Sequence, residues 1–189
     1  MRSEIILIGP MGAGKSTLGK LISEKLGLPQ CPMDKYRWDY YSEIGYDHDK
    51  AKQIGEKEGF VGVYRYWKPF EAYAVERLLS EHANCVIDFG AGHSVFEDDA
   101  LFERVQKALA PYENVVLVLP SPDLDESIQI LHERQNTEPG EGFDLNAHFV
   151  KHHSNHDLAK HVVYTKGKTT WETCDEILAL VGFELSNSI

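Results

Sequence analysis

Residues 9–17 read Gly9-Pro10-Met11-Gly12-Ala13-Gly14-Lys15-Ser16-Thr17 and match the Walker A pattern G-x-x-x-x-G-K-[ST] at every fixed position. The stretch 4–8 before the loop is a short apolar run that predicts a buried parallel strand. After the loop, leucine and isoleucine recur at helical spacing up to Gly27, a residue that favours helix ends. When a strand, a glycine-rich loop and a helix follow one another in this way, the loop N–H groups and the helix N-terminus form a site for an anion. The stretch therefore predicts a nucleoside triphosphate site.

Within this loop, two side chains have roles beyond the backbone cradle. Lys15 is expected to reach the β- and γ-phosphates, and the hydroxyl of Ser16 is expected to face a magnesium ion. ATP and Mg²⁺ are thus the predicted cofactors. The predicted ATP contacts are Gly9, Met11, Gly12, Ala13, Gly14, Lys15, Ser16 and Thr17.

The composition limits the class of protein. A length of 189 residues suits one α/β domain, predicted to span 1–189. No apolar run reaches the ~18 residues of a membrane span, and we expect no signal peptide. The three cysteines are scattered, so we predict a cytoplasmic protein without a disulfide framework. A net charge of −11 argues against nucleic-acid binding. We expect a small-molecule substrate, no nucleic-acid or membrane partner, and a monomer or weak homodimer.

Strands and helices alternate along the chain. The predicted strands are residues 4–8, 31–34, 84–89, 115–119 and 162–165. One predicted helix opens at Pro69, and others run over about 98–110, from Ser121 to about Gln135 and over about 144–159. A last helix follows a capping box at Thr169. The aromatic stretch 35–67 reads as a short helix or two with loops. This alternation predicts a three-layer α/β/α P-loop NTPase fold with a five-stranded parallel sheet, whose ligand lies at the carboxyl ends of the strands.

Two carboxylates fall at these strand ends. Asp88 ends an apolar strand, the place where P-loop enzymes hold magnesium, although an aspartate can also cap a nearby loop. Asp34 suits the role of orienting or deprotonating an acceptor hydroxyl, and a turn-forming aspartate is the alternative. The residues alone leave both alternatives open.

Residues 9–27, GPMGAGKSTLGKLISEKLG, resemble the opening of the shikimate kinases, small-molecule kinases of the nucleoside monophosphate kinase-like superfamily. A weaker resemblance covers the whole chain. It implies that Asp34 binds the shikimate hydroxyls and is the catalytic base, and that Gly90, Ala91 and Gly92 line the acceptor pocket. It also implies an acceptor-binding region at 35–83 and a mobile lid at 134–147, in which Arg134 is the only arginine and the expected third catalytic residue beside Lys15 and Asp34.

The chain departs from this family at several positions. Pro32 replaces the first aspartate of the family's Asp-x-Asp, and we hypothesise that Asp88 supplies the lost charge to the metal beside Ser16. Lys68 and, on a less certain alignment, Lys151 stand where arginines grip the substrate carboxylate. A lysine keeps the charge but loses the two-pronged geometry that suits a carboxylate. The lid lacks the family's Arg-Pro signature, and residues 40–67 are longer and more aromatic than in the family.

The resemblance implies transfer of the γ-phosphoryl group of ATP to a hydroxyl of a small, anionic metabolite. The enlarged aromatic segment 40–67 favours a different acceptor, such as a nucleoside, a nucleotide or a sugar acid. Pro32 and the sparse arginines of the lid favour a third reading, an ATP-binding module without turnover.

A row of histidines, His148, His152 and His156, has the spacing i, i+4, i+8. Neighbours in this row share a helix face, so the row suits a transition-metal site. A polar helix bordering the cleft is the alternative. The spacing does not decide between them.

Overall fold

The computed structural model describes residues 2–137 and 142–183. Within these ranges the chain forms five strands, eight α-helices and one short 3-10 helix at Ala91–Ser94. The strands are β1 (Arg2–Ile8), β2 (Gln30–Pro32), β3 (Val86–Asp88), β4 (Tyr112–Leu119) and β5 (His161–Tyr164). The helices are α1 (Lys15–Leu26), α2 (Met33–Glu43), α3 (His48–Glu81), α4 (Asp99–Leu109), α5 (Leu124–Gln135), α6 (Leu145–Lys151), α7 (His153–Leu158) and α8 (Thr170–Leu180).

All strand pairs are parallel, and the sheet order is β2-β3-β1-β4-β5. The predicted α/β fold with a five-stranded parallel sheet is therefore confirmed. Leu7 of β1 pairs in register with Asp88 of β3, and Asp88 pairs with Pro32 of β2. The carboxyl ends of these three strands thus lie side by side. This register brings Asp88, the phosphate loop and the start of α2 to one edge.

Burial of apolar side chains holds the helices on the sheet. Helix α1 packs with α8, while α3 packs with α4. Residues 5–8 of β1 and 115–119 of β4 are apolar and buried, as parallel strands covered by helices must be. Two of the three predicted helix boundaries that rest on capping chemistry are confirmed. Gly27 ends α1 with a φ of 64°, and Thr169 forms a capping box with Glu172 at the start of α8.

The position of Asp34 differs from the prediction. Strand β2 ends at Pro32, and Met33 begins α2, so Asp34 lies in the first turn of a helix rather than at the end of a strand. A carboxylate is favourable there because it faces the positive end of the helix dipole. Asp34 still lies at the predicted edge of the sheet.

Three helix predictions were wrong in their boundaries. The helix predicted from Ser121 begins at Leu124, because Asp123 rather than Ser121 is the N-cap and accepts from the N–H of Glu126. Pro69 does not open a helix but lies inside α3, whose actual break is at Gly59, with φ 67° and ψ −164°. That conformation is open to glycine and strained for other residues. The histidine-rich helix is divided at His152, where ψ is 132° and the imidazole caps α7 by accepting from the N–H of Ser154. The row of three histidines therefore spans two helices.

No helix of the described ranges is long and apolar enough to cross a membrane. Cys31, Cys85 and Cys174 are buried and free. The free thiols agree with the prediction that no disulfide framework supports this fold.

Candidate active site

The phosphate loop holds its lysine in a buried position. Lys15 is 7% exposed, and its Nζ donates to the carbonyl oxygens of Gly9 at 2.8 Å and Pro10 at 2.7 Å. Burial lowers the pKa of Lys15 to about 8, against the opposing influence of Asp88 and Asp34. In the part of the chain that the structure describes, the hydrogen bonds of this poorly solvated cation are to neutral carbonyl groups. A triphosphate entering the loop would supply the missing negative charge.

Asp88 and Ser16 form the second part of the loop site. The Ser16 hydroxyl donates to Asp88 Oδ1 at 2.6 Å, and Gln30 Nε2 donates to Asp88 Oδ2 at 2.8 Å. Asp88 is 3% exposed, so these bonds fix its carboxylate behind the phosphate loop. A hydroxyl and a carboxylate side by side are the oxygen ligands that Mg²⁺ prefers. The two predicted metal ligands, which lie far apart in sequence, are thus in contact.

One pocket of about 490 Å³ opens beside this loop. Its walls combine the predicted loop residues, Asp34 and residues 90–92, called the glycine segment below, with aromatic side chains. They comprise Met11, Gly12, Gly14, Lys15, Ser16, Thr17, Asp34, Arg37, Phe60, Tyr64, Trp67, Glu71, Phe89, Gly90, Ala91, Gly92, His93, Leu145 and Phe149. The structure therefore brings the predicted phosphate site and most of the predicted acceptor site to one cavity.

The glycine segment allows close packing at this wall. A Cβ atom at Gly92 would lie 2.2 Å from Glu71 Oε1, so a larger residue would displace the buried carboxylate. His93 is also buried and accepts or donates a hydrogen bond with the Tyr41 hydroxyl at 3.1 Å. Burial, assisted by the charge of Lys68, holds the pKa of His93 well below its ordinary value. The pocket wall therefore presents a neutral imidazole.

Arg37 is a pocket residue that the sequence interpretation missed. Its Nη1 lies 3.4 Å from Asp34 Oδ1, and its guanidinium lies 4.8 Å from the centre of the Trp38 ring. The buried Nε has no hydrogen-bond partner among the described residues. Lys15 and Arg37 are the only lysine or arginine in the described part of the pocket lining. If Asp34 had been predicted to lie in a helix, the i, i+3 spacing would have placed Arg37 on the same helix face as Asp34.

The two lysines predicted to hold the substrate have other partners. Lys68 Nζ donates to the carbonyls of Gly92 at 3.0 Å and Val95 at 2.9 Å, and pairs with Glu71 Oε2 at 2.5 Å. The ammonium group also lies 4.1 Å from the centre of the Tyr64 ring, so Lys68 already has several partners within the protein. Lys151 is largely exposed and pairs with Asp125 at 2.8 Å. Neither lysine is among the described residues that line the pocket.

Replacing Lys68 by methionine is expected to lower the free energy of unfolding by about 3–5 kcal/mol, because it leaves Glu71 buried without its cation. Burial already raises the pKa of Glu71 against the opposing effect of Lys68. Urea unfolding measures the change, with Lys52→Ala at an exposed position as the control. An unchanged stability together with weaker acceptor binding would instead return Lys68 to the substrate site.

Arg134 lies on the other side of the phosphate loop. Its Nη1 donates to the carbonyl of Gly12 at 3.3 Å, and its Nη2 donates to Thr165 Oγ1 at 3.1 Å. It lines a smaller cavity of about 160 Å³ beside Ala13 and Gly14. The next residue, Gln135, donates to the carbonyl of Met11 at 3.1 Å. The start of the predicted lid thus contacts the loop, while residues 138–141 of that lid lie outside the described residues.

The aromatic segment divides between the pocket and the core. Tyr64 and Trp67 line the pocket, whereas Tyr40 and Tyr41 belong to the buried core. Tyr66 packs against that core at its edge. The rings of this segment therefore serve both as pocket wall and as core packing.

The sequence and the fold both match one group of known proteins. The profile of a family described as "Shikimate kinase" matches residues 11–181, which is most of the chain. The chain belongs to the shikimate kinase family. The resemblance to shikimate kinases that residues 9–27 indicated is thus confirmed by a match over most of the chain.

Individual shikimate kinases match over shorter stretches. A shikimate kinase from Marinomonas sp. (strain MWYL1) is 37% identical over 109 residues, 57% of this chain and 54% of that protein. One from Caldicellulosiruptor bescii is 36% identical over 124 residues, 63% of this chain and 65% of that protein. The matched stretches therefore span about half to two thirds of the length of these two shikimate kinases.

Solved structures agree on the fold over nearly the whole chain. A shikimate kinase from Acinetobacter baumannii in complex with shikimate has a TM-score of 0.62 at 22% identity, covering 96% of this chain and 93% of that one. A gluconokinase from Sinorhizobium meliloti 1021 has a TM-score of 0.52 at 15% identity, with coverage of 96% and 93%. At such identities the likeness establishes the fold that shikimate kinases share with other kinases.

Proposed function

We propose that this chain is a small-molecule kinase that transfers the γ-phosphoryl group of ATP to a hydroxyl of a small, anionic metabolite, as a shikimate kinase does. One observation carries the proposal. Lys15 and Ser16 of the phosphate loop line the same pocket as Asp34 and the glycine segment. Phosphoryl transfer requires little more of a protein than this joint positioning of donor, acceptor and charge.

In this proposal each residue has a defined role. Lys15 binds the β- and γ-phosphates, and Ser16 with Asp88 holds Mg²⁺, which would neutralise the charge that develops on the phosphoryl oxygens. Asp34 orients the acceptor hydroxyl and accepts its proton. Arg134, held at the Gly12 carbonyl, adds positive charge beside the loop. Residues 35–83 bind the acceptor, and 134–147 close over the site and exclude water.

The anionic group of the acceptor requires a cation, and we assign it to Arg37. Lys68 is already engaged by Glu71 and two backbone carbonyls, and Lys151 pairs with Asp125 on the surface. Arg37 reaches the pocket from the same helix as Asp34, and its Nε has no hydrogen-bond partner within residues 2–137 and 142–183. A guanidinium also restores the paired donors that fit a carboxylate and that a lysine lacks. This position supports an anionic acceptor although lysines stand in place of two family arginines.

A nucleotide-binding module without turnover is the second candidate, because Pro32 leaves one carboxylate fewer at the strand edge. ADP release from MgATP distinguishes the two. We expect the rate to rise about tenfold or more with shikimate or a sugar acid such as gluconate, and to rise far less with methyl shikimate, whose carboxylate is esterified. A rise with nucleosides or nucleotides instead would keep the kinase and replace the acceptor class. Bound ATP with no response to any acceptor would support the binding module.

Replacing Asp88 by asparagine is expected to raise the Mg²⁺ concentration for half-maximal turnover by about 10–100-fold, because the amide cannot supply the negative charge missing at Pro32. Titration of Mg²⁺ at fixed ATP measures this shift. Asp39→Asn, at an exposed position on α2, is the control. An Asp88→Asn enzyme with the ordinary Mg²⁺ dependence would refute the role of Asp88 as the substitute carboxylate.

A further inference from the structure

Three potential metal ligands converge beside the acceptor pocket. Glu97, His148 and His152 each place one ligand atom within 4.8 Å of the others. Two of them belong to the predicted histidine row, but His156 is not in the group. The chain bends at His152, so α7 carries His156 along a different direction. Glu97, which follows the glycine segment, takes the third position.

Hydrogen bonds hold this cluster in place. His148 Nε2 lies 2.6 Å from Glu97 Oε1, and the Tyr64 hydroxyl donates to the same oxygen at 2.8 Å. The imidazole rings of His148 and His152 have centroids 5.2 Å apart. His148 and His152 are half-buried while Glu97 is exposed. The ligands are therefore held close together and remain open to solvent on one side.

The charge states of the cluster favour a cation. Burial raises the pKa of Glu97, but hydrogen bonds from His148 and Tyr64 outweigh it and lower that pKa to about 2. Burial and the neighbouring His148 lower the pKa of His152. At neutral pH the cluster thus offers an ionised carboxylate and a neutral imidazole, the forms that bind metals.

We propose that Glu97, His148 and His152 form a binding site for a divalent transition metal such as Zn²⁺. Two imidazole nitrogens and one carboxylate oxygen are a common donor set for Zn²⁺, and water completes the coordination. The site is chemically distinct from the oxygen ligands at Ser16 and Asp88, which suit Mg²⁺.

The position of the site indicates what a bound metal does. His148 lies on α6, just after the predicted lid 134–147, whereas Glu97 belongs to the segment that follows the glycines. Tyr64 joins the cluster to the acceptor pocket, because it lines that pocket and donates to Glu97. A metal held by both segments therefore fixes α6 against the pocket wall.

Metal titration of the full chain tests this proposal without reference to kinase activity. Chelator-treated protein in excess Mg²⁺ is titrated with Zn²⁺ in a calorimeter, and Co²⁺ is added separately for its visible spectrum. We expect one Zn²⁺ per chain at micromolar affinity or tighter, and a Co²⁺ spectrum typical of four or five ligands. Glu97→Gln and His152→Asn are each expected to weaken binding about tenfold or more.

The variants are chosen so that loss of binding can be separated from loss of folding. Glu97→Gln keeps a hydrogen-bond acceptor for Tyr64, and His152→Asn keeps a residue that caps α7. His156→Ala, on the neighbouring turn, is the matched control and is expected to bind as the parent chain does. The proposal is overturned if the parent chain binds no Zn²⁺, or if it binds equally well in the Glu97 and His152 variants. Absence of Zn²⁺ binding would leave the Glu97–His148 contact as a hydrogen bond. Equal binding in the variants would assign the metal to other histidines.

Discussion

Replacing Lys15 by methionine is expected to lower kcat by about a hundredfold or more while the chain stays folded. The ammonium group is the cation of the phosphate loop, and methionine has a similar length without the charge. Because burial lowers the pKa of Lys15 to about 8, the free protein gains little from this cation. We therefore expect the thermal unfolding midpoint to stay level or rise, while ATP binding weakens. Steady-state kinetics, calorimetry with ATP and a melting curve measure the three quantities.

The control for this variant is Lys20→Met on the same helix, because Lys20 is exposed and does not line the pocket. Its kcat and ATP affinity are expected to match those of the parent chain. If Lys15→Met bound ATP as tightly as the parent, the interpretation of residues 9–17 as a triphosphate loop would be wrong. Loss of binding together with loss of folding would be visible in the melting curve.

Arg37→Met is expected to raise the KM of a carboxylate acceptor about 10–100-fold, the loss of one or two charge-assisted hydrogen bonds. The KM for ATP is expected to change little, because Lys15 rather than Arg37 belongs to the phosphate loop. The acceptor KM of Arg37→Lys is expected to lie between those of the parent chain and Arg37→Met, since lysine keeps the charge but not the paired donors. Kinetics with shikimate or the best carboxylate acceptor measure these changes.

Two controls separate this role from general damage. Arg65→Met removes an exposed arginine from α3 and is expected to leave the acceptor KM unchanged. The methyl ester of the acceptor lacks the anionic charge, so the parent chain and Arg37→Met should use it equally poorly. An acceptor KM that does not respond to Arg37→Met would remove Arg37 from the site and leave the anion to another residue.

The sequence alone predicted the phosphate half of the site because that half is local. The loop lies between β1 and α1, and its chemistry depends on residues 9–17 and the elements on either side. Asp88 and the glycine segment were also predictable, since the ends of parallel strands meet at one edge of the sheet. The contact between Ser16 and Asp88 follows from that rule.

The acceptor half depended on contacts between distant parts of the chain. Whether Lys68 faces the substrate depends on Glu71 and on the carbonyls of Gly92 and Val95, and no local pattern reports these contacts. Arg37 was missed because β2 was extended by two residues, which hid the helical spacing from Asp34. The breaks at Gly59 and His152 are local backbone features, a positive φ at Gly59 and an extended ψ at His152, and apolar periodicity does not report them.

The central claim is that one pocket transfers phosphate from ATP to an acceptor hydroxyl, and direct tracing of the phosphate tests it. MgATP labelled in its γ-phosphate is incubated with shikimate, and the label is followed into the organic acid, inorganic phosphate and unreacted ATP. The proposal predicts that label enters the acceptor and that Asp34→Asn largely abolishes this transfer. The proposal would be contradicted if, with shikimate and with every sugar acid, nucleoside and nucleotide tested, the label stayed in ATP or appeared only in inorganic phosphate.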